Sequence, residues 1–155
     1  MNIEDVIHAR RTLKLRADPE NPLDITKGEA FKRTVEELLE LAGKAPFHYE
    51  SPQELRQRDL DGAEPWRFHA LDASSCRKLL ADFNKNKPVK SSEGIKQMLA
   101  TSDALILVTW LPEHSNKKQG KFHPNVKNME HIAATGAAIQ NLLLAATGMG
   151  IINYW

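Results

Sequence analysis

Ile132-Ala133-Ala134-Thr135-Gly136-Ala137-Ala138-Ile139-Gln140-Asn141-Leu142-Leu143-Leu144-Ala145-Ala146 has only Thr135, Gln140 and Asn141 as polar side chains. Leu142 to Ala146 cover every direction of a helix, and a helix apolar all round is a buried one. The run is too short and too interrupted to span a bilayer. Ala133, Ala134, Gly136, Ala137 and Ala138 leave room for another helix or a flat ligand. Asn125 or Asn128 supplies the N-cap, and Gly148 and Gly150 stop the helix. Ile151, Ile152 and Tyr154 begin a strand-like run. Such a helix needs a layer on each side, so the rest of the chain is organised around it.

A chain of 155 residues is one domain, and 41% apolar content supports a core. Its net charge of +1 gives no single-signed field for nucleic acid. The lone Cys76 excludes an internal disulfide framework and suits a reducing compartment. The N-terminus has no basic stretch followed by an apolar one, so the cytoplasm is expected.

Asn2 caps a short helix with Ile3, Val6 and Ile7 on one face. Ala17 to Ile25 is a loop. Thr26 and Glu29 form a capping box for a helix carrying Phe31, Val35, Leu38, Leu39 and Ala42, ended by Gly43. Residues 47–64 are a long loop, with a short helix near Gln53 to Arg58; loops of this length often border a functional mouth. Trp66 to Leu71 alternates as a strand, Trp66 and Phe68 on one face, Arg67 and His69 on the other. Asp72 or Ser74 caps a helix with Cys76, Leu79, Leu80 and Phe83 inward, and Asn84 to Val89 is a basic turn. Ser91 or Ser92 opens a helix with Ile95, Met98 and Leu99. Ala104 to Trp110, continuously apolar up to Thr109, is expected as a central strand covered on both faces. The order predicts an α+β domain, a small sheet beside a dominant helical layer.

Arg10-Arg11-Thr12-Leu13-Lys14-Leu15-Arg16 places four cations and a hydroxyl in seven residues. Guanidinium groups bind phosphate bidentately and a threonine adds a short donor; a solvated basic turn is the alternative. His114 and His123 share a loop without a cysteine partner, so no metal site is expected. No nucleophile elbow, phosphate loop or dinucleotide fingerprint is present.

Three ordered stretches resemble the nitroreductase family of FMN-dependent oxidoreductases. They are Ile7-His8-Ala9-Arg10-Arg11-Thr12 with Lys14; Ala45-Pro46 followed by Pro65-Trp66-Arg67-Phe68; and Gly136 to Ala146 followed by Gly148 and Gly150. The resemblance spans essentially residues 1–155. It implies a nitroreductase-like α+β fold, a small mixed or antiparallel sheet flanked by helices around the long buried one. It also implies a homodimer with FMN at the subunit interface. Arg10, Thr12 and Lys14 would hold the flavin phosphate and polar edge, with Arg11 in support. The implied reaction is ping-pong hydride transfer from NADH or NADPH to a small-molecule acceptor, a quinone or nitroaromatic. The flavin performs the chemistry, so no catalytic side chain is expected. Nucleic acid and membrane are not among the implied partners.

Two departures qualify the likeness. The family has Asn-x-Gln before Pro-Trp, where this chain has Gly62-Ala63-Glu64. By the resemblance Glu64 would stand beside the flavin as an acid in place of an amide, which would disfavour a reduced anionic flavin; a solvent-exposed Glu64 is the alternative. Family members also continue several tens of residues past the position of Trp155, so the chain is expected to be incomplete at its C-terminus. Two other readings stay open: a flavin-binding protein with little or no reductase activity, and a cofactor-free structural or interaction protein. Turnover with a reduced nicotinamide separates the first two, and saturable FMN binding excludes the third.

Overall fold

The computed structural model describes residues 2–25, 28–56, 60–86, 93–113 and 122–155. In order they form α1 (Ile3–Ala9), α2 (Glu29–Ala42), a 3-10 turn (Gln53–Leu55), β1 (Trp66–Asp72), α3 (Ala73–Asn86), α4 (Glu93–Leu99), β2 (Ala104–Trp110) and α5 (Val126–Gly148). This is an α+β fold, a two-stranded antiparallel sheet flanked by five helices. The register runs from Trp66 opposite Trp110 to Asp72 opposite Ala104.

Local chemistry explains the helix ends. Asn2 and Asp5 close a reciprocal capping box at α1. Asp72 ends β1 and caps α3, its Oδ1 accepting from the Ser75 amide at 2.7 Å; this bond holds its carboxyl below the usual value. The helix α3 runs on to Asn86, through the start of the expected basic turn. Asn125, not Asn128, caps α5 by accepting from the Asn128 amide at 2.8 Å. At the other end Gly150 takes φ 70°. Its amide reaches the Thr147 carbonyl at 3.0 Å and that of Ile151 reaches Ala146 at 2.8 Å, the paired bonds of a Schellman ending. The expected caps Thr26, Ser91 and Ser92, with Arg58, Lys87 to Lys90 and His114, lie outside the described residues; α2 begins behind Gly28, without a side-chain cap.

Asn128 ties β2 to α5. Its Oδ1 accepts from the Glu113 amide at 2.7 Å, and its Nδ2 donates to the His123 and Glu113 carbonyls at 2.9 and 3.3 Å. One turn on, the buried His131 donates from Nδ1 to the Leu111 carbonyl at 2.8 Å. Two apolar clusters result. Ala45, Trp66, Ala134 and Ala138 join α5 to the sheet; Cys76, Leu80, Leu99 and Ala100 join α3 to α4. Arg77 stitches the Leu23 loop to Ser102, donating to their carbonyls at 3.1 and 3.2 Å.

Three expectations are corrected. Among the described residues β2 is not covered on both faces: Leu105 and Leu107 are exposed, because the helices that reach their face, α3 and α4, pack against its Leu71 end. The helix α5 buries Asn128, His131, Thr135, Ile139, Leu143 and Ala146. Its opposite side is exposed at Val126, Met129, Ile132, Ala133 and Gln140, since one sheet and two helices cannot surround a cylinder. Residues 151–155 form no strand; they lie beside the segment after α1, with the Leu13 amide donating to the Asn153 carbonyl at 3.1 Å.

Candidate functional site

The basic segment leaves α1 at Arg10, where the backbone turns out of the helix. Its cations do different things. Arg11 folds back and donates from Nη1 to the carbonyls of His8 and Arg10, at 2.6 and 2.8 Å. That satisfies acceptors the helix end leaves open. Arg10 instead turns to Thr12, its Nη1 donating to Oγ1 at 3.2 Å. The Thr12 hydroxyl hydrogen is then free to point at an anion beside the guanidinium. Lys14 extends over the Tyr154 ring, 4.8 Å from its centroid. Arg10 and Thr12 thus form a donor pair whose chemistry suits an anion, while the Arg11 side chain is spent on the helix.

A second set of residues stands on the loop before β1. Arg67 is 7% exposed. Its Nη2 donates to the Leu60 and Gly62 carbonyls, both at 2.9 Å, and its Nη1 to those of Glu64 and Trp66, both at 2.7 Å. Burial lowers the guanidinium's pKa, and the Glu64 carboxylate opposes that effect; arginine stays charged in proteins. The carbonyls between these point outward: Ala63 accepts from the Ser51 amide at 2.8 Å and Pro65 from the Leu111 amide at 2.7 Å. Arg56 braces the far side, donating to the Ser51 carbonyl and to Glu50. Leu60, Gly62, Glu64, Trp66, Arg67 and Phe68 line an open cleft of about 290 Å³.

A larger open cleft, about 410 Å³, lies between the Ala45-Pro46 corner and α5. Pro46, Phe47 and His48 form one wall, and Glu130, Ala133, Ala134 and Ala137 the other. The small residues of α5 do leave the space their types suggest. Phe47 meets Trp66 edge-on at 5.5 Å, and His48 Nδ1 lies 3.7 Å from Glu130 Oε1.

Sequence reasoning placed Arg67 on a polar face with His69 and missed its buried role. It also missed Phe47, His48 and Glu130, which become neighbours only through packing. The structure joins Arg10 to Thr12, while Lys14 stands over Tyr154. The bonds of the basic segment run to α1 and the C-terminal segment, and those of the Glu64 loop to Ser51 and Leu111. Among the described residues no three His, Cys, Asp or Glu side chains gather as a metal set, and no helix is long and apolar enough to cross a membrane.

The model of the Nitroreductase family matches residues 31–152. That span includes the Glu64 loop and α5 and begins after the basic segment. Among solved structures, a nitroreductase-like family protein from Bacillus cereus aligns with TM-score 0.59 and 22% identity, over 97% of this chain and 66% of that one. A nitroreductase family protein from Clostridium novyi NT aligns with TM-score 0.57 and 20% identity, over the same shares. The chain thus spans about two thirds of the length of these structures, and the likeness is one of fold. A search of the curated proteins finds no match.

Proposed function

Because the chain belongs to the nitroreductase family, we propose that it is a flavin-dependent oxidoreductase that binds FMN through Arg10, Thr12 and Lys14. Family membership over residues 31–152 carries the reading; the accessible Arg10–Thr12 pair supports it from the side of the ligand. Bound FMN would supply hydride chemistry between NADH or NADPH and a quinone or nitroaromatic. The protein's part is binding and orientation. Arg10 and Lys14 neutralise the phosphate, Thr12 adds a hydroxyl donor, and the wall of residues 60–66 borders the ring.

The working form is proposed to be a homodimer. The exposed side of α5, with Val126, Met129 and Ile132 at 74%, 56% and 40% exposure, is an apolar stripe continuing past Ala133 and Gly136. Pairing two such stripes buries them. It would also let one copy's basic segment and the other's Glu64 loop share a site.

The test is reconstitution. Protein dialysed against FMN should turn yellow, bind about one FMN per chain, and oxidise a reduced nicotinamide when given menadione. Absence of saturable FMN binding refutes the proposal. A second reading, flavin binding with little turnover, is favoured by one observation: a carboxylate, Glu64, lines the cleft where the family carries an amide. Stoichiometric FMN with no reduction by either nicotinamide would select it.

A further inference from the structure

We propose that Gly62 and Arg67 are positioning residues that hold the Glu64 carboxylate inward, against the cleft before β1, as the group that tunes a bound ring. What enters the cleft rests on the flavin reading above; the positioning itself rests on geometry within this chain.

Residues 60–66 are wound around one cation. The carbonyls of Leu60, Gly62, Glu64 and Trp66, every second residue, converge on Arg67. Those of Ala63 and Pro65 face outward to the Ser51 and Leu111 amides. The chain bends at residues 63–65, and this curl lets alternate carbonyls reach one group. A guanidinium, with donors in a rigid planar fork, can collect four inward carbonyls at once. A lysine ammonium has three donors and one centre, so it cannot.

The Glu64 carboxylate lies in space that the absence of a Gly62 side chain leaves open. A Cβ built on Gly62 would stand 3.2 Å from Glu64 Cδ, and closer still to Oε2. The carboxylate therefore lies against the Gly62 Cα, in space that any other residue would occupy. Gly62 has no positive φ, so its role here is to be small, not to permit a turn. An alanine there is accommodated by the backbone, and the obstacle it meets is the far end of a flexible side chain. Gly62→Ala thus evicts the carboxylate without removing its charge, and Glu64→Gln removes the charge without evicting the group. Arg67 feels the Glu64 carboxylate electrostatically, and both residues line the cleft.

The experiment has two arms. In cofactor-free protein, amide hydrogen exchange is followed at Ser51 and Leu111 in wild type and Arg67→Lys. Loss of inward carbonyl partners should loosen the wall and speed exchange there by roughly tenfold or more. Unchanged exchange overturns the role of Arg67. In FMN-loaded protein, the flavin midpoint potential is measured for wild type, Gly62→Ala, Glu64→Gln and the double variant. Each single change should raise the potential, since a carboxylate beside the ring resists its reduction. The double variant should go no further than the larger single shift. Fully additive shifts, or a Gly62→Ala potential equal to wild type, overturn the positioning of Glu64. Wild type that binds no FMN defeats the flavin reading and the tuning role with it, while the exchange arm still decides the wall.

Discussion

Replacing Arg10 with alanine should weaken FMN binding and leave the fold nearly intact. The structure separates this side chain from its neighbours. Among the described residues the Arg10 side chain donates sideways, to the Thr12 hydroxyl at 3.2 Å. Arg11 is committed to the carbonyls of His8 and Arg10. Arg16 is exposed. A charge-assisted contact to phosphate is worth about 1.5–3 kcal/mol, which corresponds to a loss of affinity of about ten- to a hundredfold. Arg11→Ala removes two bonds at the end of α1 and should instead lower stability, by about 1 kcal/mol, with FMN affinity changed less than about threefold through screened charge alone. Arg16→Ala should change neither. The assay is a fluorescence titration of FMN with wild type and the three variants at fixed ionic strength, beside thermal melts of the cofactor-free forms. If Arg11→Ala or Arg16→Ala costs as much affinity as Arg10→Ala, the division of labour read from the geometry is wrong. If none of the three matters, the phosphate binds elsewhere and the segment is a solvated turn.

Asn128→Ala should destabilise the protein by about 2–4 kcal/mol in urea melts, because a buried amide that serves Glu113 and His123 is lost; a loss within experimental error would refute that role. Gly150→Ala should cost about 1–2 kcal/mol by the same assay, since φ 70° disfavours an L side chain. Ile132→Glu should turn a dimer into a folded monomer in light scattering, because Ile132 is exposed in the single chain; a stable dimer would move the interface off α5. Leu143, 8% exposed, belongs to the chain's own core and cannot serve this test. Asp72 has its carboxyl held below the ordinary value, first by the Ser75 amide. Its contribution is therefore present above the unfolded value and lost as pH falls through the folded one. Asp72→Asn should flatten the acid limb of stability measured from about pH 6 down to about pH 3; an unchanged limb would refute the cap.

Much of the architecture is written in short-range pattern. Asn2 with Asp5, Asp72 with Ser75 and Asn125 with Asn128 act within a turn, so residue type and spacing narrow each cap to one or two candidates, and the structure chooses Asp72 over Ser74 and Asn125 over Asn128. The alternation of Trp66 to Leu71 and the apolar run of β2 likewise identify the strands, because side-chain direction along a strand follows from backbone geometry alone. The Arg10–Thr12 contact is local for the same reason, its two members lying two residues apart. Burial is another matter. The apolar character of α5 and β2 says that both sides of each avoid water, but not which side the chain itself covers. That depends on how many layers the fold supplies. Arg67 marks the limit most clearly. By type and alternation it belongs with His69 on a solvated face. Only the tertiary path of residues 60–66, curling four carbonyls onto one guanidinium, makes it an interior cation. A charge is buried where partners converge to replace its water, and convergence is a property of three dimensions that no local pattern records.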